Sequence, residues 1–359
     1  MLRRSITTEQ VGHAYLFLGP EGIGKRTTAL AYAKALNCQD EDAHAQGDFC
    51  QHCRACHMIE MGHHPDVRLL TPETTGGKTV IPIDAIRTKA GENATHPLPL
   101  REDAQLKPME GRMKVYILDP ANRPGLQEDA GNALLLTLEE PPPHVVIILI
   151  SSRPSAMLPT LVSRCQPVRF HLAPYAAVVQ TLEEIGGLSP EQTAALAGMA
   201  DGRIGWARAM ACSPQLLTAR QTLLSELDRL LPAGLPAALR LAETLHHLAL
   251  STTVLPVDEE EDDGKARMTS DRQVRRNLPE LLDVLATWWR DMLVGELGQP
   301  DRRLNRDFAV LLDRHRARFS PAQLRFGLKT IMQTKRLIER NANIDLALEC
   351  MCMMILFGG

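Results

Sequence analysis

Three groups of residues in this chain have the types and spacing to do chemistry. The stretch "GPEGIGKRTTA" (19–29) carries Gly19, Gly22, Gly24 and Lys25 in the order of a phosphate-cradling loop, G-x-x-x-x-G-K-[ST]. Glycines let backbone amides converge on phosphate oxygens, a helix N-terminus adds a favourable dipole, and the lysine reaches the outer phosphates. The pattern fails at one position. Arg26 stands where a hydroxyl should hold magnesium, and Thr27 offers the nearest replacement. A tight turn without a ligand is the competing reading of such a loop.

The second group lies in "YILDPANRP", where Asp119 ends an apolar run. A carboxylate at the end of a second strand holds magnesium beside the phosphates, and a following glutamate would polarise the attacking water. Here the next residue is Pro120, which can neither orient water nor accept a proton, so the general-base role is empty. Gly19, Gly22, Gly24, Lys25, Arg26, Thr27 and Asp119 together read as a degenerate ATP site, set against a bare strand-end carboxylate at Asp119.

The third group is Cys38 followed by "CQHCRAC" with Cys50, Cys53 and Cys56. A C-x2-C-x2-C run with a fourth cysteine twelve residues earlier can offer four thiolates to one tetrahedral ion, and structural zinc is the usual choice. An iron–sulfur cluster and free core cysteines are the alternatives. No protein position is left open for water, so the expected role is to staple an insertion; His52 and His57 are nearby alternates. Cys212, Cys350 and Cys352 lie in apolar helical surroundings and read as core. Cys165 sits in "SRC" beside Arg164, an arginine that alone reads as a solvated charge.

These groups need elements to hold them. "AYLFL" (14–18), "KVYILD" (114–119) and "HVVIILISS" (144–152) are continuous apolar runs, as expected for parallel strands buried on both faces. The glycine loop leads into "TTALAYAKALNC", a good helix former, which gives the strand–loop–helix context that such a loop requires. "GLQEDAGNALLLTLEE" reads as a helix stopped by Pro141, Pro142 and Pro143. Alternation of strands and helices to about residue 168 predicts an α/β domain with a parallel sheet. Beyond it the strands stop. Ser189, Pro190 and Gln192 form a capping-box start, and the pattern predicts a small helical module over 169–214 and a larger one over 215–359. Within the latter an acidic block (254–271) reads as a solvated loop, with a binding tail as its alternative. "WWRD" (288–291) reads as core aromatics on an amphipathic helix, with a contact patch as its alternative.

The bulk numbers limit the function classes. At 359 residues the chain suits two or three domains, and 44% hydrophobic with 23% charged residues excludes disorder as the default. A net charge of −3 excludes a global basic field for nucleic acid, so a stand-alone DNA-binding protein on this scaffold is the weaker reading. The N-terminus lacks an apolar run of signal-peptide length, and no stretch reaches about eighteen apolar residues, so a cytoplasmic location is expected.

In order, "HAYLFLGPEGIGKRT", "CQHCRAC", "HHPD", "NALLLTLEEPPP" and "LVSRC" resemble the clamp-loader branch of the AAA+ proteins, the bacterial DNA polymerase III gamma/tau and delta prime subunits. The resemblance covers nearly the whole chain. It implies an AAA+ P-loop domain with a zinc-binding insertion (1–168), a helical lid (169–214) and an all-α collar (215–359). It also implies gamma/tau and delta subunits as partners in a five-subunit ring that places the sliding clamp on primed DNA. In that ring the arginine of the SRC motif, matched by Arg164, is an arginine finger given in trans to a neighbour's ATP.

The departures favour the delta prime branch, which does not hydrolyse ATP, over a gamma/tau-like ATPase. Pro120 replaces the catalytic glutamate, and Gly202, Gly205 and Ala207 follow the delta prime lid pattern where the ATPase carries a sensing arginine. "NANIDLALE" (341–349) is similar to the collar ending of delta prime. The chain begins close before His13, whereas relatives carry a longer segment that helps enclose the adenine; a misassigned start or an incomplete base pocket is expected.

Overall fold

A computed structural model describes residues 1–75, 78–88, 98–121, 125–212, 214–231, 235–251 and 270–358. The chain divides into two compact units, Met1–Leu172 and Ala173–Gly359.

In the first unit the chain order is α1 (Leu2–Thr7), β1 (Ala14–Leu18), α2 (Lys25–Asn37), α3 (Glu41–Ala45), α4 (Arg54–Glu60), β2 (Val67–Leu70), β3 (Glu73–Thr75), β4 (Lys78–Val80), α5 (Leu100–Asp103), β5 (Lys114–Leu118), α6 (Glu128–Glu139), β6 (Val145–Ser151), α7 (Pro159–Val162) and β7 (Gln166–Arg169). Five strands form one sheet in the order β2-β5-β6-β1-β7, with every pair parallel. β3 and β4 make a separate antiparallel pair.

Both faces of the central strands are buried, and alternate residues of β1, β5 and β6 feed two different cores. Leu16, Tyr116, Leu118, Ile147 and Leu149 pack on one face. Tyr15, Phe17, Ile117, Val146 and Ile148 pack on the other, against Tyr32, Ala33 and Leu36 of α2. Period-two alternation with apolar residues on both sides yields the unbroken apolar runs visible in the sequence. α1 precedes the first strand; its Ile6 joins the α2 core, and the Ser5 hydroxyl lies 2.7 Å from that of Tyr32.

Among the described residues of the second unit the regular elements are helices: α8 (Tyr175–Ile185), α9 (Pro190–Ala200), α10 (Ile204–Ala211), α11 (Pro214–Leu230), α12 (Leu235–Ser251), α13 (Ser270–Glu296), α14 (Ala309–Arg316), α15 (Pro321–Glu339) and α16 (Ile344–Phe357). Its core is one cluster running from Val178 to Ile355. α9 opens with the expected capping box of Ser189 and Gln192. Trp288 and Trp289 are fully buried on α13, as core aromatics should be. The expectation of core packing holds for Cys352, which is buried, but not for Cys212, which is exposed at the C-terminal end of α10; Cys350 is half-buried. The acidic block (254–271) lies outside the described residues except for its last two positions. Among the described residues no helix is long and apolar enough to cross a membrane.

Candidate functional site

The glycine loop connects the C-terminal end of β1 to the start of α2, where parallel α/β sheets place their ligand sites. Two of its glycines meet requirements that a side chain would not. A Cβ at Gly19 would lie 2.8 Å from the Phe170 carbonyl oxygen, and Gly24 caps α2 with φ +102°. Gly22 is also left-handed, with φ +71°. Lys25 is the first residue of α2 and only 6% exposed. Its Nζ donates to the Gly19 and Pro20 carbonyls, each at 2.7 Å, so the ammonium lies inside the loop. Burial pushes the Lys25 pKa down, opposed by the charges of Asp119 and Glu21. Thr27 is exposed on the first turn, while Thr28 returns its hydroxyl to the Gly24 carbonyl at 2.9 Å.

Asp119 immediately follows β5, and its backbone amide donates to the Leu70 carbonyl at 3.0 Å. Its side chain does not face an open metal position. Arg26 Nε donates to Asp119 Oδ2 at 2.6 Å, so the two residues that should share magnesium are joined to each other. Magnesium needs a shell of oxygen ligands at short range, and a guanidinium has no lone pair to give. The residues present therefore do not fit that ion.

The four cysteines converge. Their sulfurs lie within 4.8 Å of one another, with Cys38 to Cys53 at 4.0 Å and Cys38 to Cys56 at 3.9 Å. Cys38 follows the last residue of α2, and Cys53 caps α4, so two helix ends hold the set together. Amides of Cys50, Cys53 and Cys56 donate to the sulfurs of Cys38, Cys50 and Cys53 at 3.3–3.4 Å. Burial opposes thiolate formation at Cys53, but the amide of Cys56 and the other hydrogen bonds outweigh it and bring its pKa to about 6. Burial raises the values of Cys38 and Cys56. Four sulfurs at this separation, already accepting amide hydrogens, could hold one metal ion. Of the two histidine alternates, His52 belongs to a second possible group with Asp40 and Cys50.

Arg164 follows α7 on the surface of the same unit. Its guanidinium donates to Glu139 at 2.6 Å and to the Thr160 carbonyl at 3.1 Å. Glu139 is the last residue of α6, so the end of one helix sets the direction of the arginine. Cys165 turns the other way into the core, where burial pushes its thiol up to about 12.

Sequence reasoning missed three polar contacts. Arg26 and Asp119 were each visible as candidates, but their pairing depends on α2 and β5 meeting. Glu139 lies in the quoted "TLEEP", yet nothing local marks it as the partner of Arg164. Asp66 of "HHPD" is 2% exposed and accepts the amides of Met109, Glu110 and Gly111 at 2.7–2.8 Å, which ties the segment before β5 to the start of β2.

Residues 1–173 match the family described as DNA polymerase III, delta subunit. The DNA polymerase III subunit delta' of Bacillus subtilis is 26% identical over 359 residues, all of this chain and 95% of its own length. That of Pseudomonas aeruginosa is 37% identical over 185 residues, 52% of this chain and 50% of its own. The tau subunit of Bacillus subtilis is 30% identical over 302 residues, 82% of this chain and 47% of its own. The chain is thus similar to the delta' and tau subunits of DNA polymerase III, over its full length in the case of Bacillus subtilis delta'.

Proposed function

We propose that the chain is a delta-prime-type subunit of the clamp loader: it does not hydrolyse ATP itself and gives Arg164 in trans to the ATP of a neighbouring subunit. The observation that carries the reading is the disabled cation position, where Arg26 binds Asp119 and Pro120 stands in the place of the catalytic base. Gly19, Gly22, Gly24, Lys25, Arg26, Thr27 and Asp119 are then an inherited cradle. The 26% identity to Bacillus subtilis delta' across the full chain supports the same choice over a gamma/tau-like ATPase.

In this reading residues 1–168 are the AAA+ domain, 169–214 the lid and 215–359 the collar through which tau/gamma and delta subunits assemble. The ring works in the cytoplasm, opens the sliding clamp and places it on primed DNA. Cys38, Cys50, Cys53 and Cys56 hold structural zinc. Glu139 aims the finger: its ion pair with Arg164 is half-exposed, weak enough in water to release the guanidinium to a phosphate.

Reconstitution with tau/gamma and delta subunits tests the reading. Arg164→Ala should assemble normally yet lower ATPase and clamp loading by about 10³-fold or more, the range of arginine fingers. Undiminished turnover in that complex would sink the role of Arg164. Steady ATP turnover by the isolated wild-type chain, abolished in Lys25→Ala, would instead favour a gamma/tau-like ATPase.

A further inference from the structure

The pair formed by Arg26 and Asp119 has a consequence for what the loop can bind. The two residues are separated by 93 positions and come from the first turn of α2 and the end of β5, so they meet only because the sheet brings those ends together. In a loop of this type these are the two protein positions that hold a divalent cation against the outer phosphates. Here one has become a permanent cation and the other its counter-ion. Asp119 is largely covered, its side chain 17% exposed, while Arg26 lies on the open side at 46%.

A divalent ion approaching Asp119 must displace the guanidinium and then remain beside its charge. Arg26 cannot relieve that conflict by losing a proton, since guanidinium stays protonated at any pH a folded protein meets. Among the described residues only its Nε is engaged by Asp119, and the remaining donors are the fork that suits phosphate oxygens. Among the described residues the hydrogen bonds of Lys25, a residue away, go to two neutral carbonyls, weaker partners than an oxyanion.

We propose that Arg26 replaces the divalent cation of the loop: a nucleoside polyphosphate binds as the metal-free anion, with Lys25 and Arg26 as its counter-charges, and Mg2+ does not strengthen the complex. The proposal rests on the reading of the loop as a retained phosphate cradle. It separates this chain from nucleotide-binding loops that recognise the magnesium complex, and it matches a site where Pro120 stands in place of the water-activating glutamate.

The test is titration of the full chain with a fluorescent ADP or ATP, once in EDTA and once in excess Mg2+. Wild type should bind equally or more weakly with Mg2+, because the ion sequesters the free polyphosphate. Arg26→Ser restores the hydroxyl and frees Asp119; its binding should become tighter with Mg2+ by about tenfold or more, the size of one charge-assisted contact. Lys25→Ala should lose binding in both conditions, which locates the nucleotide at the loop. Thermal melts of both variants control for folding. About tenfold tightening of the wild type by Mg2+ would overturn the proposal, as would an Arg26→Ser chain indifferent to the ion. Absence of wild-type binding in both conditions would overturn the retained cradle, and the proposal with it, while leaving the role of Arg164 to its own reconstitution assay.

Discussion

Asp66 illustrates what a single buried carboxylate contributes. Its burial opposes the charged form, but the amides of Gly111, Glu110 and Met109 outweigh that penalty and hold its carboxyl below the usual carboxylate range. A carboxylate with a depressed folded value stabilises the fold fully above its unfolded value of about 3.9, and the contribution is lost as pH falls through the folded value. Asp66→Asn keeps the shape but leaves one acceptor oxygen for three donors. We expect it to cost about 2–3 kcal/mol in urea unfolding at neutral pH and to flatten the acid limb of the stability curve. A cost below about 0.5 kcal/mol would mean that the turn at 109–111 holds itself. The cysteine spacing pointed directly to a set that could hold a metal, because four ligands within one short insertion have few other uses. Asp66 was legible only as part of a motif, since its partners lie more than forty residues away.

At the scale of elements, the central strands were legible and the edges were not. β1, β5 and β6 are buried along their whole length, and each matches a predicted apolar run to within one or two residues. β2 and β7 sit at the two ends of the sheet, where β7 is largely exposed and contains Pro167. An edge strand has neither the continuous apolar face nor the full ladder of hydrogen bonds that makes a strand visible in sequence.

The helical unit contains a comparable surprise where α11, α13 and α14 meet. His315 of α14 is 1% exposed; Trp288 Nε1 donates to its Nδ1 at 3.3 Å, and its Nε2 lies 2.8 Å from Asp228 Oδ1. These partners fix one neutral tautomer, with the proton on Nε2. Burial pushes the His315 pKa down despite the pull of Asp228. With the folded value lowered, stability is complete above about pH 6.5 and is lost as pH falls below it toward the folded value. The tryptophan-monitored melt should therefore fall from pH 7 toward about 5.5, and His315→Leu should flatten that slope at the cost of a lower plateau. An unchanged slope in the variant would assign the acid sensitivity to other groups.

At the scale of the whole molecule, each unit has its own core, and the probes divide cleanly between them. Every residue of the helical cluster lies between Val178 and Ile355, and both sheet cores lie before residue 172. All three tryptophans, Trp206, Trp288 and Trp289, are in the second unit, while the four-cysteine set is in the first. A metal held by that set would join the ends of α2 and α4, so its removal should loosen both. Chelation should lower a transition followed by far-ultraviolet circular dichroism by about 5 °C or more, while the tryptophan transition stays in place. Cys50→Ser should reproduce the shift without chelator and bind less than one equivalent of zinc. If chelation moved the tryptophan transition equally, the two cores would melt as one cooperative unit; if it moved neither, the cysteines would be packing residues and the metal site would fall.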